Sequence, residues 1–282
     1  MTRNWIAAAA QFDCKLGNPA ANLATIIRLL NEAADRGANL IALPEMALAG
    51  YGFQDRDQAR PFAQSIPGPA TDEVAVVCKK RNIYAVFGLI ESAGDQLFNA
   101  AALVGPHGLI GRYRKVHMPC VGADWFLDKG DRPFEVFDLE GLKLGINICF
   151  DSSFPEAIRS LAILGADVVI LPTNWGEMAF RMSTLVSRVR ALENHIYFIA
   201  CNRTGDETGY HYIGQSSITS YTGDFLAFAD TDQETIITSP IDPIAARNKK
   251  VVICAGEYEL DRINWRRPEF YRVLSRQFAD FA

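Results

Sequence analysis

The 282-residue chain is 49% hydrophobic and 22% charged, with a formal net charge of −5 and no dense basic cluster. That balance gives ample material for a globular core and argues against a nucleic-acid partner. No Gly/Ser, Pro or charge-rich linker divides the sequence, so one domain over residues 1–282 is expected.

Taken in order, residues 5–12 read as a buried strand, and Asn18-Pro19 supplies an N-cap and a first-turn proline. Leu23, Ile26, Ile27, Leu30, Ala33 and Ala34 follow at helical spacing, with Gly37 as the stop. Residues 6–10 are too short an apolar run for a secretory signal, and no stretch reaches the length of a bilayer span. These features point to a cytoplasmic protein without a membrane partner.

Residues 40–43 form an apolar strand that runs into Pro44-Glu45, and a carboxylate at the end of a buried strand needs a reason. Ile66-Pro67-Gly68-Pro69 is a turn, after which Thr71 is expected to cap a helix to about Lys80. Strands follow at 83–91, 97–104 and 109–113, the last ending before Arg114-Lys115. A long loop to about Pro133 holds Cys120, Asp124, Trp125 and Phe126, and loops of that length are often functional.

Residues 144–148 make a short strand and Pro155 opens a helix, so Cys149 sits at a strand-to-helix turn. Beyond it lie a strand ending at Leu171, then Pro172-Thr173-Asn174-Trp175, and a helix over 179–193. A strand at 196–201 follows, 216–220 pairs with 225–229 as a hairpin, and 235–240 closes the sheet. From Asp261 onward arginines mix with Trp265, Phe270, Tyr271 and Phe278, so 261–282 reads as a packing or subunit-contact arm.

The segments ending in Leu43-Pro44-Glu45 and Leu171-Pro172-Thr173 each follow a helix stopped by glycine, at Gly37 and Gly165. This internal echo implies two comparable halves whose central strands end at one place. Alternating strands and amphipathic helices make the fold α/β. The hairpins favour two packed sheets with helices outside, although pattern alone does not separate that from one doubly wound sheet.

Chemistry at Cys149 is the strongest functional reading. A strand-end thiol can be presented for attack while nearby N–H groups stay free for an oxyanion. A thiol attacking an amide also needs a base, a cation for the oxyanion and an acid for the leaving nitrogen. Glu45 and Lys115 supply those types. Singly, each has a plainer reading: a buried cysteine, a structurally paired glutamate, a solvated lysine. His117, two residues beyond Lys115, offers a competing Cys–His pair.

The sequence resembles the nitrilase superfamily of carbon–nitrogen hydrolases, in its amidase-like branch. The resemblance is carried by Leu43-Pro44-Glu45 with Gly50-Tyr51, by Tyr113-Arg114-Lys115-Val116-His117-Met118-Pro119, and by Gly145-Ile146-Asn147-Ile148-Cys149-Phe150-Asp151 with Phe154-Pro155-Glu156. Later segments complete it, among them Arg190 to Asn194, Asn202 to Gly205 and Arg267 to Tyr271. It implies a four-layer αββα sandwich of two packed mixed β-sheets, commonly dimerising, with no metal or organic cofactor. It implies Glu45 as base and acid, Lys115 as oxyanion stabiliser with the Phe150 N–H beside it, and Cys149 as the nucleophile of a thioester.

Two departures from the family pattern stand out. Between Lys115 and Cys149 the only glutamates are Glu135 and Glu140, in or after the next strand, so Asp124 is the nearest loop carboxylate for a second acidic role. Ser153 stands where many relatives carry arginine. Tyr51, Cys120, Trp125, Phe150 and Trp175 are the candidates for substrate contacts. The expected reaction is hydrolysis of a small non-peptide amide. Nitriles, N-carbamoyl compounds and acyl transfer to an amine stay open, as does a silent scaffold. The six cysteines, Cys14, Cys78, Cys120, Cys149, Cys201 and Cys254, lack a C-x-x-C pair and predict reduced thiols without zinc.

Overall fold

The computed structural model describes residues 3–276, and contacts divide the chain at Arg247 into a large unit and a short C-terminal one. In the large unit the strands, in chain order, are β1 (Trp5–Gln11), β2 (Leu40–Ala42), β3 (Tyr84–Ala93), β4 (Gln96–Gly105) and β5 (Gly108–Arg114). Then come β6 (Val136–Leu139), β7 (Leu142–Ile146), β8 (Val168–Thr173), β9 (Tyr197–Asn202), β10 (Thr204–Glu207) and β11 (Tyr210–Ile213). The last three are β12 (Ser217–Thr219), β13 (Phe225–Phe228) and β14 (Thr235–Ile241). The helices are α1 (Pro19–Asp35), α2 (Arg56–Ala59), α3 (Pro69–Arg81), α4 (Pro155–Ile163), α5 (Ser187–Asn194) and α6 (Pro243–Arg247).

Two six-stranded mixed sheets result, ordered β14-β1-β2-β3-β4-β5 and β13-β12-β9-β8-β7-β6. Period-two alternation decides what each face meets. On β1, Ala8 and Ala10 join Ile26, Leu29 and Leu30 of α1 and Val74 and Cys78 of α3 in one core. Ala7 and Ala9 turn the other way, into a second core where Val86 and Leu103 meet Ile146, Ile170 and Ile199 of the opposite sheet. On the far side Leu161 of α4 packs on Gly145 of β7, where an added Cβ would lie 2.9 Å from the Leu161 methyl. Helices, sheet, sheet and helices therefore stack in the expected order.

The internal echo extends to topology. Read from β14 and from β6 respectively, each sheet has an antiparallel edge, three parallel strands and two antiparallel strands. β2 and β8, the echoed strands, hold equivalent places and touch across the sandwich.

Several local expectations shift. Gly68, not Thr71, is the N-cap of α3; the Thr71 hydroxyl accepts from the Gly68 N–H at 2.9 Å from the third helical position. The hairpin β10–β11 was not anticipated. Strand β14 joins the first sheet, beside β1, rather than following its neighbours into the second. The helix expected over 179–193 contains a π turn at Met182–Val186 before α5.

The C-terminal unit starts at Asn248, ahead of the expected boundary at Asp261. It contains a hairpin, β15 (Lys250–Cys254) with β16 (Tyr258–Asp261), whose final carboxylate accepts from Ile263 N and Asn264 N at 3.0 and 2.7 Å. Trp265 and Phe270 are exposed, and Phe278 lies outside the described residues.

Candidate active site

Two chain-distant segments, one bearing Glu45 and one bearing both Lys115 and Asp124, meet at one buried ion cluster. Glu45 follows β2, Lys115 follows β5, and Asp124 lies in the 3-10 turn Gly122–Trp125; all three are buried. Lys115 Nζ donates to Glu45 Oε1 at 2.7 Å and also to Asp124 Oδ2. Asn99 on β4 ties the carboxylates together, donating to Glu45 Oε1 at 2.7 Å and Asp124 Oδ1 at 2.8 Å. Among the described residues Glu45 Oε2, though buried, has no hydrogen-bond partner.

The backbone explains these positions. An added Cβ at Gly88 of β3 would stand 2.3 Å from Met46 N and 2.7 Å from Glu45 Cα, so only glycine lets the Glu45 turn seat there. The Asp124 turn docks on Tyr51: Ala123 N donates to the Tyr51 carbonyl at 3.0 Å, and the Tyr51 hydroxyl lies 2.9 Å from Asp124 Oδ2. Glu207 pins the Tyr51 segment, its Oε1 accepting from Tyr51 N at 2.9 Å and Gly52 N at 2.7 Å.

Cys149 opens the 3-10 turn Cys149–Ser153 with φ of +44°, a strained left-handed geometry for a side chain with Cβ. The fully buried Asp151 carboxylate organises this turn. Its Oδ2 accepts from Ile148 N at 2.9 Å and the Tyr113 hydroxyl at 2.8 Å, and its Oδ1 accepts from His117 N at 3.0 Å. Those partners flank Cys149 on one side and Lys115 on both. The His117 ring meets the same Oδ1 through Nδ1 at 2.7 Å and stacks on Phe154. It is thereby committed to holding the turn.

Burial, above all, pushes the Cys149 thiol up to about 12; Glu45 adds to the rise, while Lys115, the Asn174 backbone and the Thr173 hydroxyl oppose it. Burial also raises Glu45, against the pull of Lys115 and with the push of Asp124. Burial alone would lower Lys115, but Asp124 and Glu45 outweigh it and hold the ammonium charged. Two carboxylates share one cation, so the ionised set is net negative and resists a further anion.

A cavity of about 580 Å3 opens over Cys149. Tyr51, Phe150 and Trp175 line it, as does Ser153. Cys120 and Trp125 do not: both are exposed, and only their neighbours Pro119, Val121 and Gly122 reach the cavity. In a tight 3-10 turn adjacent side chains diverge, so Asp124 turns inward and Trp125 outward. Asn174 also lines the cavity, its side-chain nitrogen and oxygen both buried without partners among the described residues, while Asn202 clamps the Trp175 backbone at 2.7 and 3.0 Å. Asn99, Asp151, Asn174 and Glu207 went unread as site residues in the sequence. No group of His, Cys, Asp and Glu among the described residues is arranged to hold a metal ion.

The chain also matches known proteins. The profile of a family described as carbon-nitrogen hydrolase matches residues 6–250. The chain is 38% identical to a nitrilase of Pyrococcus abyssi over 86% of its own length and 92% of the relative's. It is 33% identical to an omega-amidase of Xenopus tropicalis, over 78% and 83% of the two chains. It is 30% identical to an N-carbamoylputrescine amidase of Solanum lycopersicum, over 95% and 93%. Among solved structures, an amidase from Nesterenkonia sp. superimposes with a TM-score of 0.80 at 22% identity, over 97% of both chains, which speaks to the fold.

Proposed function

Because the chain belongs to the carbon-nitrogen hydrolase family, we propose that it hydrolyses a small non-peptide amide through a thioester on Cys149. Glu45 Oε2, the carboxylate oxygen left without a partner, is the observation that carries the assignment of base. It takes the thiol proton as Sγ attacks the carbonyl carbon, moving charge within the cluster without adding to it. Two of the three Lys115 ammonium protons go to Glu45 and Asp124, leaving one for the oxyanion beside the Phe150 N–H. Collapse breaks the carbon–nitrogen bond, and Glu45 returns its proton to the departing ammonia or amine. Water then gives a proton to Glu45 and attacks the thioester, releasing the acid and restoring the thiol. Asp124 is the second carboxylate, holding Lys115. Tyr51 and Trp175 line the acyl side.

Nitriles and N-carbamoyl compounds would use the same thiol, and the relatives' names keep both in view. Comparing ammonia release from matched amides, nitriles and carbamoyl amines separates them. The direct test is a mass spectrum of the unaltered protein quenched in acid during turnover of a pool of small amides, which preserves a thioester. An acyl adduct on Cys149, absent in Cys149→Ala, is expected. Ammonia release that survives Cys149→Ala would overturn the proposal, and a Cys149 no more reactive to iodoacetamide than a free thiol would favour a silent scaffold.

The assignment extends to setting and assembly. Free cysteines throughout the described residues support a reducing, cytoplasmic setting, and no described helix is long and apolar enough to cross a membrane. Exposed Leu185, Val189 and Leu192, spaced along one helical run, support a homodimer, with the C-terminal arm as a further contact.

A further inference from the structure

The cavity over Cys149, at about 580 Å3, has room for an acyl chain of several heavy atoms. Among the described residues no lysine or arginine lines it. Lys115 is committed to two carboxylates below the floor, and Arg203 is buried against Glu207 and Asp13. The charged groups at the lining are Glu177, exposed on a 3-10 turn, and His211. His211 lies between carboxylates, Nδ1 3.0 Å from Asp206 and Nε2 3.3 Å from Asp232. Asp206 foremost, with Asp232 and Glu177, favours its protonated form. Even so, among the described residues the lining itself carries one carboxylate, Glu177, and no lysine or arginine, and the His211 charge is already met by Asp206 and Asp232 outside the cavity.

The geometry points to selection by charge: the site takes amides whose acyl chain ends in a neutral group or an ammonium and rejects those with a distal carboxylate, with Glu177 as the specificity-determining residue. This rests on amide chemistry at Cys149. A carboxylate entering the cavity would lose hydration, find no cation and pass a field of its own sign. An ammonium at the same reach would meet Glu177, while Trp175, Phe150 and Met178 remove its methylenes from water. Specificity of this kind comes as much from repulsion as from attraction.

Valeramide, delta-aminovaleramide and glutaramate are matched in chain length and differ in terminal charge. The expected kcat/KM for glutaramate is about tenfold or more below that for valeramide, with the amine at or above valeramide. Glu177→Gln should lower the amine-to-neutral ratio, and Glu177→Lys should raise the carboxylate-to-neutral ratio. Protection of Cys149 from iodoacetamide by the same three amides should follow the same order, independently of turnover. Glutaramate turned over or protecting as well as valeramide would overturn the proposal, as would ratios indifferent to Glu177→Lys. If Arg181→Ala then abolished glutaramate use, the cation would be Arg181, which neighbours the lining residue Met182. Silence of all three amides in turnover, with the protection order intact, would overturn hydrolysis and support selection.

Discussion

Glu45 is held by one oxygen and idle at the other, and as the proposed base it would set the acid limb of activity through its ionisation. Burial raises it above its ordinary 4.5, and Asp124 adds to the rise. The catalytic base must be ionised, so kcat/KM should fall as pH drops through a value above the ordinary carboxylate range. Asp124→Asn removes a negative neighbour and should move that limb to lower pH. A pH–rate profile of both proteins checks the sign. Asp151 acts at one remove, through residues beside Cys149 and Lys115. Asp151→Asn turns one accepting oxygen into a donor and strands buried N–H or O–H groups, costing about 2–4 kcal/mol of stability. It should also lower kcat by about tenfold or more through misalignment. A lower melting temperature with kcat intact would reduce Asp151 to a structural brace. Glu45, Lys115 and Cys149 were legible because each closes a strand inside a recognisable run, and Asp124 because it is the loop carboxylate nearest Lys115, ahead of Asp128 and Asp131. Asn99 carried no such signal: it sits mid-strand, and its partners are set by the pairing of β4 with β5.

At the level of elements, the two helix–strand units were readable from one repeated phrase, and they meet as that phrase implied. Glu45 after β2 and Thr173 at the end of β8 both act on the Cys149 sulfur. What seats the first of these ends is the missing side chain at Gly88. Gly88→Ala should push the Glu45 turn outward, and activity should fall by about a hundredfold or more. The protein should still fold, because Pro44 and Met46 can shift with the loop. Activity assays alongside circular dichroism check that separation. The hairpin β10–β11 escaped sequence reading because its strands are four residues each. A signal existed in Thr208-Gly209, both with positive φ at +50° and +87°, the geometry of a two-residue hairpin turn. Trp125 misled for the opposite reason: aromatic character drew attention to a side chain that the turn faces outward.

For the molecule as a whole, alternation of strands and helices sufficed for the class, while the choice of two sheets came through resemblance. Period-two alanines on β1, apolar on both faces, were compatible with either arrangement. The bare apolar run along the second sheet's helices is where assembly should be tested. Leu185→Glu with Val189→Glu places charges on it without touching the ion cluster. Light scattering should report a mass falling to that of one chain, and an unchanged mass would send the search for the contact to the C-terminal unit.

That run has an inner side as well. Met178 and Met182 belong to the cavity wall, Leu185, Val189 and Leu192 lie bare just beyond, and the π turn at Met182–Val186 joins the two groups. A body resting on the outer side would brace the wall behind it. By reciprocity of coupled equilibria, a guest in the cavity would then strengthen the grip of that body by the same factor. Specific activity would climb with protein concentration, and saturating ligand would hold the assembly together on dilution.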